Sequence, residues 1–247
     1  MIGAKVYKCY TNYVIGVGMK NIYKDWNLFE ILLLSVSLVL ISVCFIFTPD
    51  KNWFSLISSL LGVTTVLFTA KGKVAAPFLS LIYSVFYIII SITQQYYGEA
   101  IIYGVLMAPL QFITIFNWLK NKNNETSVVK VNKVTVKEYL ILTGITLLAT
   151  VGFYFLLKWL NTAQLVVSTI SLITSALATY LLLRRCSNYA LFYIVNDIIL
   201  IVLWGIAMAS TGLSILPMII SFSVFLINDV YGFIKWKSRE KQEKTIT

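Results

Sequence analysis

Long apolar stretches separated by short polar segments run along most of the chain. Eight of these stretches are long enough to cross a hydrocarbon core of about 30 Å as a helix, which needs roughly 20 residues. We place them at residues 31–47, 54–70, 77–95, 100–119, 138–158, 164–183, 188–209 and 213–235. The longest polar interval, 120–137, is predicted to be a loop. The pattern therefore predicts an all-α, polytopic membrane protein.

Lysine and arginine gather in alternate polar segments, which orients the predicted spans. With the N-terminus inside, all of the 20 Lys and Arg residues except Lys51 and Lys158 fall on the cytoplasmic side. Cytoplasmic loops retain positive charge, so both termini are predicted to be cytoplasmic. Segment 1–30 is expected to be cytoplasmic or interfacial, and 237–247 to be a cytoplasmic tail.

The spans form two similar groups of three. Segments 54–119 and 164–236 each begin with a span that ends at two basic residues. Each segment finishes with a polar residue seven positions before a tryptophan, in QFITIFNW and in DVYGFIKW. Three spans invert the chain and the linker span 138–158 restores its direction, so we predict two parallel three-helix repeats. The span 31–47 is then an additional N-terminal transmembrane helix.

Composition narrows the possible functions. Hydrophobic residues make up 59% of the chain and charged residues only 12%, against roughly 25% charged residues in soluble domains, so the lipid bilayer is the main partner. The net charge of +10 comes from loop clusters, and we predict no nucleic-acid binding. The sequence has no histidine and no GxxxxGK[ST] loop, which argues against an intramembrane enzyme, a metal site and ATP coupling. No catalytic residue and no cofactor is predicted.

Polar side chains inside the spans are the candidates for a solute site. A carboxylate at such depth costs roughly 2.5–3.5 kcal/mol on insertion scales and usually faces a cavity or a partner. Tyr189, Tyr193, Asn196 and Asp197 share one helix face by their spacing. Rings beside amide and acid groups suit a flat heteroaromatic ring that carries a hydroxylated sugar or a positive charge. The predicted substrate-binding residues are Tyr83, Tyr87, Gln111, Tyr189, Tyr193, Asn196, Asp197, Trp204, Asn228 and Asp229.

Some of these polar and aromatic residues have a structural alternative. Hydrogen bonding between helices is the other role for intramembrane polar groups; both roles stay open for Asp229, and solute binding is favoured for Asp197. Glu99 is expected in an extracellular turn, either as a solvated charge, which is favoured, or as part of an outer gate. Pro109 and Pro217 predict paired helix breaks near the site, with tolerated kinks as the alternative. An interfacial aromatic belt is predicted for Trp53, Trp118, Trp159 and Trp236.

Several short motifs resemble one known family. They are WNLFE at 26–30, SSLLGV at 58–63, AKGK at 70–73, YYGE at 96–99, PLQF at 109–112, RR at 184–185 and LINDVYG at 226–232. In this order and spacing they resemble the bacterial nicotinamide riboside transporters, the PnuC family of vitamin carriers. The resemblance covers the chain from about Trp26 to Trp236.

The resemblance implies a fold and a mode of transport. The family is built as three plus one plus three helices with parallel repeats, similar to the SWEET sugar carriers. It implies a homotrimer in the bacterial plasma (inner) membrane that works by facilitated diffusion, with the vitamin trapped inside by phosphorylation by a separate cytoplasmic kinase. Gln111, Asn196 and Asn228 match polar residues of the family pattern.

At the presumed site the sequence departs from the family. The family typically has two tryptophans four positions apart where this chain has Tyr189 and Tyr193, and Tyr83 replaces an asparagine. The predicted substrate is therefore nicotinamide riboside or a closely similar vitamin or nucleoside, with thiamine, riboflavin and deoxynucleosides as alternatives. A membrane-anchored interaction protein is a more remote alternative, suggested by the basic tail.

Overall fold

A computed structural model describes residues 26–49 and 51–246 of the chain. Eight helices among these residues are long and apolar enough to cross a membrane. They are α1 (Leu28–Phe47), α2 (Trp53–Lys71), α3 (Ala76–Thr93), α4 (Tyr97–Lys120), α5 (Val136–Trp159), α6 (Leu165–Leu183), α7 (Tyr189–Thr211) and α8 (Leu216–Ile246). The predicted all-α membrane class is confirmed. The interfacial role predicted for segment 1–30 falls mostly outside the described residues.

Polar residues at the helix ends explain several of the boundaries. Asn27 caps α1 by accepting a hydrogen bond from the Glu30 backbone N–H at 2.8 Å, and the Glu30 carboxylate accepts one from the Asn27 N–H at 3.1 Å. Asn52 and Thr135 cap α2 and α5 in the same way. Such caps satisfy backbone donors that have no partner within the helix. At the other end of α2, Gly72 adopts a φ of 67°, which favours glycine.

Helix α4 changes its hydrogen-bonding pattern near its middle. Residues Ile102–Met107 are π-helical and lead directly to Pro109. Proline has no N–H and its ring crowds the carbonyl one turn earlier, and a wider π turn accommodates both effects. Pro217 instead lies in the first turn of α8, after the 3₁₀ turn Leu213–Ile215. The prediction of paired breaks is therefore wrong, because only Pro109 lies next to a disturbed helix interior.

Six of the helices form a closed ring. Helix α2 packs on α3, α3 on α4, α4 on α6, α6 on α7, α7 on α8, and α8 returns to α2. Helix α1 packs outside the ring against α2 and α8, and α5 packs against α6. Large apolar side chains of α5, such as Leu148 and Phe155, face outward, as lipid-facing residues do. The ring comprises two runs of three consecutive helices; their relation as a repeat stays a prediction.

The interval between α4 and α5 folds against the helix ends. The Val129 N–H donates to the Gly72 carbonyl at 2.9 Å, and the Asn132 N–H donates to the Arg185 carbonyl at 2.9 Å. Near the end of α8, the Glu243 carboxylate accepts a hydrogen bond from this interval at 3.1 Å. Helix α8 runs to Ile246, so most of the predicted tail continues the last span as helix. The interval thus joins α2, α6 and α8 at the end of the ring that the charge pattern assigns to the cytoplasm.

The four tryptophans of the predicted belt fall into two groups. Trp53 and Trp159 are 61% and 76% exposed, as an interfacial belt requires. Trp118 and Trp236 are fully buried, and their ring centroids lie 5.9 Å apart. Each donates its indole N–H to a backbone carbonyl of another helix, in α6 and in α2 respectively. The belt prediction is wrong for this second pair, which fastens neighbouring helices together.

Candidate functional site

A cavity of about 60 Å³ lies inside the ring, and each of the six ring helices contributes to its wall. Its lining residues are Gly62, Thr65, Val66 and Thr69 of α2; Ser80 and Tyr83 of α3; Tyr103, Met107 and Gln111 of α4; Leu182 of α6; Tyr193, Asn196 and Asp197 of α7; and Phe222, Phe225 and Asp229 of α8. Helices α1 and α5 supply none of these residues. The cavity is thus the place where all six ring helices can contact one solute.

The structure brings six of the ten predicted site residues to this cavity. They are Tyr83, Gln111, Tyr193, Asn196, Asp197 and Asp229. Tyr87, Trp204, Tyr189 and Asn228 are buried but lie outside the lining. Asn228 donates its amide to the Val224 carbonyl of its own helix at 2.8 Å. Residues that are close in sequence, such as Tyr189 and Tyr193 or Asn228 and Asp229, therefore face different surroundings.

Two carboxyl groups face each other in the cavity. Asp197 of α7 and Asp229 of α8 are each 3% exposed, and their side chains lie within electrostatic range of each other. Neither aspartate takes part in an ion pair among the described residues. Oδ2 of Asp197 has no hydrogen-bond partner among the described residues. Because adjacent like charges repel in a dry site, this pair favours a proton or a positively charged group between or beside it.

Asn196 is held in place by hydroxyl groups of α6. Its Oδ1 accepts hydrogen bonds from Thr174 at 2.7 Å, Ser175 at 3.0 Å and Ser171 at 3.3 Å. An amide oxygen has two lone pairs, so these donors saturate it. Asn196 can therefore present only its amide nitrogen to a solute.

Other polar atoms of the cavity remain available. The Tyr83 hydroxyl and Oε1 of Gln111 are buried without a hydrogen-bond partner among the described residues. The Tyr193 hydroxyl, in contrast, is hydrogen bonded to Thr179 at 3.1 Å. Buried polar atoms without a partner are uncommon in folded proteins. Those of Tyr83, Gln111 and Asp197 are positioned to be satisfied by a polar solute.

Aromatic side chains close the cavity toward the N-terminal end of α4, the predicted extracellular side. The rings of Tyr83, Tyr87 and Tyr103 pack with centroids 4.2–5.7 Å apart. Trp204 donates its indole N–H to the Tyr87 hydroxyl at 3.0 Å, and the Tyr96 ring lies 5.3 Å from Trp204. We call these five side chains the outer aromatic layer.

A second group of rings closes the cavity toward the predicted cytoplasmic side. Tyr193 contacts Tyr189 at a centroid distance of 5.9 Å, and Tyr189 contacts Trp236 at 5.0 Å. Trp236 in turn meets Trp118. We call these four side chains the inner aromatic layer. The outer layer would have to open for a solute to enter the cavity, and the inner layer for it to leave on the other side.

Glu99 is not in a solvated turn. It lies in the first turn of α4 and is fully buried. Neither of its carboxylate oxygens has a hydrogen bond of normal geometry to the described residues. The prediction failed because the polar run TQQYYGE looks like a loop, whereas α6 covers this end of α4.

Sequence reasoning missed the wall that α2 contributes. Gly62, Thr65 and Thr69 are three and four residues apart and so share a face. This spacing of small and hydroxyl residues is a signal that could have identified the wall. Gly62 is needed for space, since a Cβ built there would lie 2.4 Å from Cζ of Phe225. Tyr103, Phe222 and Phe225 carried no comparable signal, because aromatic residues are frequent throughout the chain.

Known proteins match this chain over nearly all of its described length. A family model described as nicotinamide mononucleotide transporter matches residues 52–238. A Neisseria mucosa protein named nicotinamide riboside transporter PnuC is 28% identical over 227 residues, which cover 90% of this chain and 86% of that protein. A Haemophilus influenzae protein of the same name is 26% identical over 221 residues, covering 88% and 93%. A crystal structure of the vitamin B3 transporter PnuC superposes with a TM-score of 0.80 at 28% identity, covering 90% of this chain and 96% of that one.

Proposed function

The chain belongs to the nicotinamide mononucleotide transporter family, which includes the PnuC proteins, and from this premise we propose that it carries nicotinamide riboside or a closely similar cationic vitamin. Membership makes the protein a multi-pass membrane transporter. The relatives named for nicotinamide riboside match about nine tenths of the chain. The identity of the solute is the proposal.

The observation that carries this proposal is the pair Asp197 and Asp229 in a cavity lined by tyrosines. Nicotinamide riboside combines a positively charged pyridinium ring with a hydroxylated sugar. A buried carboxyl pair without a protein cation complements the ring charge. Tyr83 and Tyr193 provide aromatic faces for the same ring.

The sugar would be recognised by amide groups on the cavity wall. Gln111 offers an acceptor that lacks a partner in the described structure, and Asn196 offers a donor. Both suit ribose hydroxyls, which donate and accept hydrogen bonds. Tyr87, Tyr189, Trp204 and Asn228 would reach the solute only when the site widens, because they do not line the cavity as it stands.

The site must expand to accept a nucleoside. Ligand pockets in proteins typically measure roughly 300–1,000 Å³, whereas this cavity measures about 60 Å³. The outer and inner aromatic layers are the contacts that would separate. We propose that the two layers open alternately, so that the solute moves passively down its gradient and a cytoplasmic kinase traps it by phosphorylation. Both termini are proposed to be cytoplasmic from the charge pattern, and a homotrimer from the family resemblance.

Thiamine is the second candidate solute. It also carries a cationic aromatic ring, so the carboxyl pair favours it over riboflavin and deoxynucleosides, which are neutral. It has no ribose, however, and leaves the amides of Gln111 and Asn196 without sugar hydroxyls. Nicotinamide riboside would use both the carboxyl pair, through its ring, and the two amides, through its ribose.

Uptake into proteoliposomes tests the proposal. The purified protein would be supplied with labelled nicotinamide riboside, thiamine, riboflavin and a deoxynucleoside in turn, without a membrane voltage. We expect saturable uptake of nicotinamide riboside, with the internal concentration levelling at the external one unless kinase and ATP are enclosed. Collapse of an imposed proton gradient should leave the rate unchanged. Uptake of only a neutral solute, or of none of the four, would overturn the proposal.

A further inference from the structure

Glu99 is a third buried carboxylate inside the ring, and it lies outside the cavity lining. It belongs to none of the ion pairs formed by the described residues. Its neighbours are hydroxyl groups of Ser171 and Tyr87, neither of which forms a hydrogen bond of normal geometry with it. A fully buried carboxylate without an ion pair is costly to retain unless a ligand or a proton uses it.

Several tyrosines lie near this carboxylate. Tyr83, Tyr87, Tyr96 and Tyr103 all lie within electrostatic range of Glu99. The pKa of Tyr96, which lies between α3 and α4, is raised to about 12, first by burial and then by the Glu99 charge. These tyrosines belong to the outer aromatic layer, so Glu99 is set within that layer. A carboxylate among aromatic rings is a typical environment for an organic cation.

Tyr83 connects the two acidic positions. Its ring lines the cavity, and its hydroxyl lies within electrostatic range of both Asp197 and Glu99. A cation leaving the outer layer would therefore meet Asp197 next. Ser171 of α6 connects Glu99 to the cavity wall, because it adjoins Glu99 and also donates to Asn196 at 3.3 Å.

We infer that Glu99 and the tyrosines of the outer aromatic layer form a second binding site, specific for the positively charged heteroaromatic ring of the solute. The solute's ring occupies this outer site before it moves to Asp197 and Asp229. The inference rests on the proposed function for the identity of the natural solute. It assigns Glu99 a contact with the solute that the cavity itself does not reveal.

Binding of 1-methylnicotinamide isolates this site, since the probe carries the cationic ring without ribose. The full-length protein in lipid nanodiscs would be titrated as a double variant, Asp197→Asn with Asp229→Asn, and as a triple variant with Glu99→Gln added. We expect the double variant to bind the probe and the triple variant to bind it at least about tenfold more weakly, which corresponds to the loss of one charge contact. Neutral nicotinamide should bind both variants equally weakly.

Two further measurements separate this role from a structural one. Glu99→Asp keeps the charge and should restore some of the probe binding if the triple variant lost it for electrostatic reasons. In proteoliposomes, Glu99→Gln should raise the KM for nicotinamide riboside about tenfold while leaving its uncharged reduced form within twofold. Thermal unfolding of each variant verifies that it is folded.

These experiments distinguish failure of the outer site from failure of the proposed solute. A double variant that binds 1-methylnicotinamide no better than nicotinamide would overturn the outer site, as would a triple variant with undiminished binding. Equal losses for the charged and reduced ribosides would make Glu99 structural and overturn it too. Glu99-dependent probe binding, together with no uptake of nicotinamide riboside by the wild type, would support the outer site and refute only the proposed solute.

Discussion

Buried carboxylates occur in two very different settings in this molecule. Glu30 of α1 is fully buried, forms ion pairs with Lys71 and Lys235, and accepts a hydrogen bond from the Tyr231 hydroxyl at 2.7 Å. Inside the ring, Asp197, Asp229 and Glu99 are buried to a similar degree without an ion pair among the described residues. One setting balances its charge within the protein, and the other has no counter-ion among the described residues.

The difference separates structural from functional acids. A buried carboxylate whose cations are built in holds helices together, and here the ion pairs of Glu30 join α1 to α2 and α8. A buried carboxylate without them is expensive to retain unless a ligand or a proton uses it. Exposure alone would not have distinguished these groups, whereas their partners do.

The largest expected effect is on stability, at Glu30, whose charge is balanced by lysine side chains. Glu30→Gln removes the carboxylate that forms ion pairs with Lys235 and with Lys71, whose ammonium is buried against the Trp26 ring at 4.6 Å. Breaking a buried ion pair from one side costs about 3–5 kcal/mol. We expect a large fall in the melting temperature in detergent, with KM unchanged for the protein that remains folded. The matched control is Glu138→Gln, whose pair with Arg184 is partly exposed and should cost about 0–1 kcal/mol. Equal losses in the two variants would contradict the comparison.

The next largest effect is expected on uptake, at Asp197 in the cavity. Asp197→Asn keeps the shape of the side chain and removes its charge, so uptake of nicotinamide riboside should fall about 10- to 100-fold, or about 1.4–2.7 kcal/mol. The melting temperature should stay the same or rise, because a neutral amide is less costly to bury than an unpaired carboxylate. Initial rates in proteoliposomes and thermal unfolding provide the two readouts. Undiminished uptake with lower stability would instead group Asp197 with Glu30.

Gly72, which lies beside the ion pair of Glu30 and Lys71, should affect stability alone. Gly72 follows Lys71 and has a φ of 67°, a conformation that costs an L-residue about 1–2 kcal/mol. A Cβ there would also lie 2.5 Å from Nη1 of Arg239, the flexible end of a side chain that can shift. We expect Gly72→Ala to lower the unfolding free energy by about that amount and to leave the KM of uptake unchanged. A changed KM would show that this end of the ring also shapes the site.

A glycine in the cavity wall should affect uptake more than stability, with the smallest change of the four. Gly62→Ala would place a methyl group 2.4 Å from Cζ of Phe225 and 3.0 Å from Cε2 of Tyr83, so both of these cavity-lining rings would have to shift. We expect uptake to fall about three- to tenfold, or less than about 1.4 kcal/mol. Gly205→Ala in α7 is the matched control, since nothing lies within 4 Å of its built Cβ. Similar uptake by the two variants would place Gly62 outside the working site.

Hydropathy and charge in the sequence predicted the helices and the membrane class because each span in lipid must be a long, mostly apolar helix. The environment of a polar or aromatic residue depends on which helix packs beside it, and the sequence does not state that. Trp118 and Trp53 have similar positions near span ends, yet one is buried between helices and the other faces outward. Glu99 looked solvated because its neighbours in sequence are polar, although α6 covers it.

The candidate site was predictable to the extent that it lies on one helix. Tyr193, Asn196 and Asp197 follow from their spacing in α7, and all three line the cavity. Asp197 lies near Asp229 because α7 and α8 pack side by side with these residues at the same level. This depends on tertiary packing, which the sequence of neither helix shows. Asn228 and Asp229 are neighbours in sequence, but their side chains point to different surroundings because helical neighbours lie about 100° apart around the axis.

The acidic pair between two closed aromatic layers has a consequence for the energetics of the cell. A cavity of about 60 Å³ has room for only a few water molecules, far short of a water-filled path across a hydrocarbon core of about 30 Å, so many copies of the transporter in this state would not short-circuit the membrane voltage. A solute that crosses alone as a monovalent cation is instead driven by that voltage. At 100 mV, inside negative, one charge is worth about 2.3 kcal/mol, or roughly a 50-fold accumulation. Under the proposed passive mechanism, entry of a cationic vitamin would therefore be concentrative before any kinase acts.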